Sequence, residues 1–187
     1  LVKDSNVSIN NSYQNLEIKT SKLILHISGS NTINDYDNNT DLDLKIIMEP
    51  HSKLLYNRKN TNINNFTLDI EASSDSYIEF NYSLETSVPS NIKLDANISG
   101  NQNTSRINFH GVTKDEGLIK SVATSKVSEN TKDNEILENL RIIALNDTEN
   151  EIVPNLLVRS DSVNAIHNTT ISSIDKDYLF YLNSKGI

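Results

Sequence analysis

The chain has no cysteine and no tryptophan, one methionine, three prolines and five glycines among 187 residues. Without cysteine it has no disulfide, no thiolate metal site and no cysteine nucleophile of its own. No run approaches the roughly 18 to 20 apolar residues that a membrane-spanning helix needs. The start, LVKDSNVSINNSYQNLEIKT, carries neither a basic leader nor an apolar signal core. Both ends are abrupt, which reads as a core piece of a longer protein. Lys and Arg number 17 against 25 Asp and Glu, for a net charge of -8, and the basic residues are scattered. The counterion release that drives nucleic-acid binding therefore has no source, and nucleic acid is not expected as a partner. The strongest short hairpin markers, Asn-Gly and Asp-Gly, are also missing.

What is present is a period of two. NLEIKTSKLILHISG places Leu16, Ile18, Leu23, Leu25 and Ile27 at alternating positions, and DLDLKIIME does the same with Leu42, Leu44 and Ile46. Phe66, Leu68 and Ile70, then Tyr77 or Ile78 with Phe80, Tyr82 and Leu84, then Ile92, Leu94 and Ile98 repeat the pattern. Each set lies on one face of a short strand. GSNTIND, NRKNTNINN, SSD, VPSN and SGNQNTS read as turn clusters between them, with asparagine supplying corners that five glycines cannot. In SENTKDNEILENLRIIALND the spacing of Ile136, Leu137, Leu140 and Ile143 competes for helix, but an extended segment feeding a strand fits better. The length suits one all-β domain over residues 1–187. A sandwich, a jelly roll and a parallel β-helix all fit the beat, and the missing hairpin markers favour the β-helix.

Local motifs offer little chemistry. His26, His51, His110 and His167 make no i, i+4 or His-x-His pair, so no metal motif is written in the chain. Gly111 in NFHGV suggests a bend after a strand. There is no Gly-x-Ser-x-Gly elbow and no phosphate-binding glycine loop. Asp41 with Asp43 and Glu149 with Glu151 are two apart on solvated faces; an acid–base pair of that kind is what a polysaccharide-acting β-helix enzyme would need. Asn-x-Ser/Thr triplets at Asn6, Asn65, Asn81, Asn97 and Asn168 would suit a secreted β-solenoid adhesin, but the abundance of asparagine produces such triplets by chance.

The last eighty residues carry a more specific pattern. A strand marked by Gly111 and Gly117 is followed by Ile142, Ile143, Leu145 and Asp147. Next come a proline-led strand with Pro154, Leu156 and Val158, a strand with Asp161, Val163, Ala165 and His167, and a closing FYLNSKGI with Phe180, Tyr181, Leu182, Ser184, Gly186 and Ile187. In order and spacing these resemble the core of the SufB/SufD family of iron–sulfur cluster assembly proteins, clearly over residues 106–187 and weakly before. Lys185 replaces the usual arginine, and Asn168 stands where glycine or glutamate usually follows the histidine.

The resemblance implies a right-handed, single-stranded parallel β-helix, with the aromatic ending as its last coil and with flanking helical regions absent from this chain. Leu182 occupies the position of the SufB cysteine, so the chain looks like SufD. The resemblance further implies a non-enzymatic scaffold in the cytosol or a plastid-type organelle. Such a scaffold pairs with a SufB-like subunit, or with a second copy of itself, through the C-terminal end of its β-helix, and it reaches a SufC-like ATPase through a helical region. His167 is then the candidate at the cluster-assembly interface, ligating a transient cluster or iron as a neutral imidazole only together with a partner. No cofactor is expected in the isolated chain, and no membrane partner.

Overall fold

The computed structural model describes residues 2, 5–36, 41–173, 180–182 and 184–186. Fourteen strands alternate between two parallel sheets. The odd-numbered strands build one sheet in order: β1 (Asn6–Asn10), β3 (Lys22–Ser28), β5 (Leu42–Met48), β7 (Asn65–Ala72), β9 (Pro89–Ile98), β11 (Leu118–Val127) and β13 (Glu151–Val158). The even-numbered strands build the other: β2 (Tyr13–Leu16), β4 (Ser30–Tyr36), β6 (Lys53–Thr61), β8 (Tyr77–Thr86), β10 (Thr104–Thr113), β12 (Asn134–Ala144) and β14 (Val163–Ser173). Each coil contributes one strand to each sheet and lies on the coil before it, which is a parallel β-solenoid. Among the described residues no helix is long and apolar enough to cross a membrane.

Alternation creates the core. In β8 every second residue, Ile78, Phe80, Tyr82 and Leu84, is buried, and the parallel register stacks like positions into rows. One inner row runs Ile33, Tyr56, Phe80, Ile107, Glu138, His167; its neighbour runs Asp35, Arg58, Tyr82, Phe109, Leu140, Thr169. Five aromatic rings gather in the middle coils, with centroids 4.8–6.2 Å apart along Tyr56, Phe80, Phe66, Tyr82 and Phe109. These five rings are among the largest buried side chains of the core and bury much apolar area there.

Coil length explains why no fixed repeat is visible. Asn6 lies opposite Ile24, 18 residues on, and Val122 lies opposite Val153, 31 residues on. Strands lengthen from 5 and 4 residues in β1 and β2 to 10 and 11 in β11 and β12 while keeping register, so sequence self-similarity at one period never develops.

Asparagine behaves differently from its reading as a turn former. GSNTIND is mostly strand β4, NRKNT belongs to β6, and β9 begins at Pro89 within VPSN. The reason is a ladder on the outer face of the even-numbered sheet, in which Asn15, Asn34, Asn57, Asn81, Asn108, Asn139 and Asn168 occupy one register row. Each side-chain amide donates to the carbonyl of the rung before it at 2.8–3.1 Å. An amide is both donor and acceptor, so identical rungs satisfy one another and outweigh the low strand propensity of asparagine. Other Asn and Asp residues do take corners: Asn11, Asn62, Asp75, Asp115, Asn130 and Asp133 all have positive φ. Asn81 donates to Asn57 and accepts from Asn108. Asn81→Ala should cost about 1 kcal/mol, and Asn81→Asp about 2 kcal/mol because a carboxylate cannot donate to Asn57. Urea unfolding checks the order of the two variants.

Candidate functional site

The last coil, β13 and β14, has nothing stacked on it among the described residues. Its inward positions are therefore more open than those below. Leu156 and Val158 continue the buried rows of Ser125 and Val127, yet both are exposed, as is Ile171 of β14, which continues the row of buried Ile142; Ile166 is exposed on the outer face. Pro154 lacks an N–H and lies within β13, so it blunts that edge. It sits fourth in its strand and does not lead it.

His167 faces inward from β14, in register with Glu138 of β12. Its side chain is 15% exposed against 1% for Glu138, and His167 Nδ1 lies 3.1 Å from Glu138 Oε2. That contact is within hydrogen-bond distance, but the N–H direction is off-line. The hydroxyl of Ser125, on the opposite sheet, donates to Glu138 Oε1. His167 Nε2 and Glu138 Oε2 are buried and have no aligned hydrogen-bond partner. Burial pushes the Glu138 carboxyl above its ordinary range, while the Ser125 hydroxyl and the His167 charge pull it back and Asp95 adds to the rise. An otherwise apolar row thus ends in a carboxylate and an imidazole.

This arrangement places one imidazole in the last coil of the solenoid, with Nδ1 beside the Glu138 carboxylate and Nε2 buried and unpaired among the described residues. Among the described residues no three His, Asp or Glu side chains converge to hold a metal ion. An iron or cluster bound at His167 would have to draw its remaining ligands from elsewhere.

The other residues singled out in the sequence fall into place as structure. Gly111 sits inside β10 and faces the core; a Cβ there would come within 2.6 Å of Ile119 Cδ1, so it marks a close approach of the two sheets and no bend. Gly117 lies in the turn before β11, where a Cβ would meet the Thr86 carbonyl at 2.2 Å. Its carbonyl accepts from Asn146 Nδ2 and Thr148 Oγ1 at 2.8 and 2.6 Å. Ile142 is buried, but Leu145 is exposed just past β12. Asp161 precedes β14 in an exposed bend instead of standing in the strand.

The closing motif is corrected. Residues 180–182 are helical, not a last β-coil, and Phe180 and Tyr181 are exposed while Leu182 is half-buried. Gly186 has positive φ, with the Lys185 N–H donating to the Leu182 carbonyl just before it, and this local capping rather than a strand ladder shapes the segment. Tyr178 and Ile187 lie outside the described residues.

His26 is half-buried on the outer face of β3, His110 is exposed on β10, and His51 sits in a turn with Nδ1 3.5 Å from Asp75. None of them joins His167. The Asp41 carboxylate is pushed up by partial burial but is held below its ordinary range by hydrogen bonds from the Asn65 side chain and the Asn65 and Asn64 N–H groups. It is the cap of a turn. The side chains of Asn81, Asn97 and Asn168 donate hydrogen bonds along the sheets, which a glycan would have to displace.

Glu138 and Ser125 escaped the sequence reading, although one signal was there. In NEILENLRIIA the alternation puts Asn134, Ile136, Glu138, Leu140 and Ile142 on one face, so a carboxylate occupies a core phase. Weighing that stretch for helical spacing hid it.

A family model described as SUF system FeS cluster assembly, SufBD core domain, matches residues 46–187, beginning well before residue 106, where the motifs become legible. Among curated proteins no sequence matches the chain.

Proposed function

The chain belongs to the SufB/SufD family and has a role in iron–sulfur cluster assembly, and from that premise we propose that it is a non-enzymatic, SufD-like scaffold subunit. It pairs with a SufB-like subunit through β14, works with a SufC-like ATPase, and acts in the cytosol or a plastid-type compartment. Leu182 in place of the SufB cysteine, in a chain with no cysteine at all, supports the SufD-like reading. In this role the chain supplies His167, and the partner supplies sulfur ligands.

The observation that carries the pairing is the edge of β14. It is eleven residues long, contains no proline and no Lys, Arg, Asp or Glu, and leaves Ile166 and Ile171 exposed. Natural sheets protect such edges with charge, proline or cover because bare edges recruit other strands. β13, with Glu151 and Pro154, is protected in this sense; β14 is not. Among the described residues no strand pairs with its outer edge, which suits strand addition from a partner.

The test is co-expression of the whole protein with SufB-like and SufC-like chains. A stable complex containing all three is expected, weakened by Ile166→Lys. Purification of the protein as a monomer, or only as a pair of identical copies, would contradict the reading.

A further inference from the structure

We propose that Glu138 is a positioning residue for His167. It fixes the imidazole with its proton on Nδ1 and thereby leaves the Nε2 lone pair as the ligating atom. The inference rests on the proposed role of His167 in cluster assembly and extends it to a residue outside the family motifs.

The inner row containing Glu138 is filled below it by Ile33, Tyr56, Phe80 and Ile107. A fifth apolar residue would pack there without desolvating a charge, whereas a buried carboxylate is costly unless it is paired. Glu138 has one hydrogen-bonded partner, at Oε1, and one close neighbour, at Oε2. Ser125 crosses from the opposite sheet to donate to Oε1, which fixes the plane of the carboxylate. Oε2 has no aligned donor, and His167 Nδ1, at 3.1 Å, is the proton-bearing group beside it.

A neutral imidazole has one proton for two nitrogens, and the nitrogen that carries it is set by what the other faces. A carboxylate beside Nδ1 draws the proton there. His167 Nε2, buried and unpartnered, is then a bare lone pair. A carboxylate behind the ring also raises its basicity as a ligand and fixes its orientation. Register reinforces this, because Glu138 and His167 are directly opposed on adjacent parallel strands and their backbones cannot drift apart without breaking the ladder.

The experiment uses the whole protein with 15N-labelled histidine, at a pH where the ring is neutral. Long-range proton–nitrogen correlation spectra identify the tautomer, and cluster maturation is measured in parallel in the reconstituted complex. The native protein should show His167 protonated at Nδ1. Glu138→Ala should shift it towards the Nε2-protonated form and slow maturation about 10- to 100-fold. Glu138→Gln, which keeps a carbonyl acceptor and the side-chain shape, should lose less of both. Should Glu138→Ala fail to fold, Ser125→Ala carries the test, with a partial tautomer shift expected. Nε2 protonation in the native protein, or an unchanged tautomer in the variants, overturns the positioning role. A tautomer that shifts while His167→Ala matures clusters at the native rate would uphold the positioning and sink the proposed function instead.

Discussion

Asp35→Ala should destabilise the solenoid by about 3–5 kcal/mol, the cost of leaving a buried charge unpaired. Asp35 and Arg58 are neighbours in one inner row, both with fully buried side chains, and the guanidinium contacts the carboxylate through Nη1. The Tyr56 hydroxyl donates to Asp35 Oδ2 at 3.0 Å, and the Arg58 guanidinium stacks 4.6 Å from the centre of the Phe66 ring. Among the described residues Arg58 Nε and Nη2 have no hydrogen-bond partner, so Asp35 supplies most of the compensation for a cation held in the core. Burial and the Asp35 charge together raise the Tyr56 phenol well above its ordinary range, so the tyrosine stays a neutral donor. Removing Asp35 orphans both groups at once. The loss would be a large share of the 5–15 kcal/mol that holds a typical domain folded. The double variant Asp35→Leu with Arg58→Met should recover most of it, since apolar side chains often replace a buried ion pair at no net cost. Urea unfolding of the two variants checks the contrast; equal loss in both would mean that the ion pair is not what the core depends on.

The second large effect concerns function and leaves the fold in place. His167→Ala, in the whole protein assembled with its partners, should slow cluster maturation by at least about 100-fold, beyond the roughly 10- to 100-fold typical of losing a supporting partner alone. The same change should cost stability only about 1 kcal/mol. His167 stands in the last coil, where no further strand packs on it among the described residues, and its removal opens Glu138 to water. The separation of the two readouts is the point: a core residue would lower both. Native maturation in His167→Ala, with complex formation intact, would remove the histidine from the proposed chemistry.

The architecture was legible because the apolar beat of a half-buried strand survives any loop length. Leu23, Leu25 and Ile27, or Phe66, Leu68 and Ile70, announce their faces without help. What stayed hidden depends on stacking between coils. Asn34 and Asn57 resemble turn residues one strand at a time and become ladder rungs only when register lays them on each other. Asn168 looked like a departure beside His167; it is the terminal rung, donating to Asn139 on the opposite face of the strand. Glu138 and Ser125 are 13 residues apart on different sheets, a pairing no local window reveals. The last coil at Phe180 and Tyr181 rests on the family resemblance alone, whereas residues 180–182 are helical and Gly186 has positive φ.

The central claim is that the bare edge of β14 is where this subunit joins its partner. Hydrogen–deuterium exchange of the whole protein, alone and bound to a SufB-like subunit, tests it most directly. Backbone amides of Val163–Ser173 should exchange at least about tenfold more slowly in the complex, with the central strands of both sheets unchanged. Unchanged exchange across β14, with protection appearing on another face, would contradict the account.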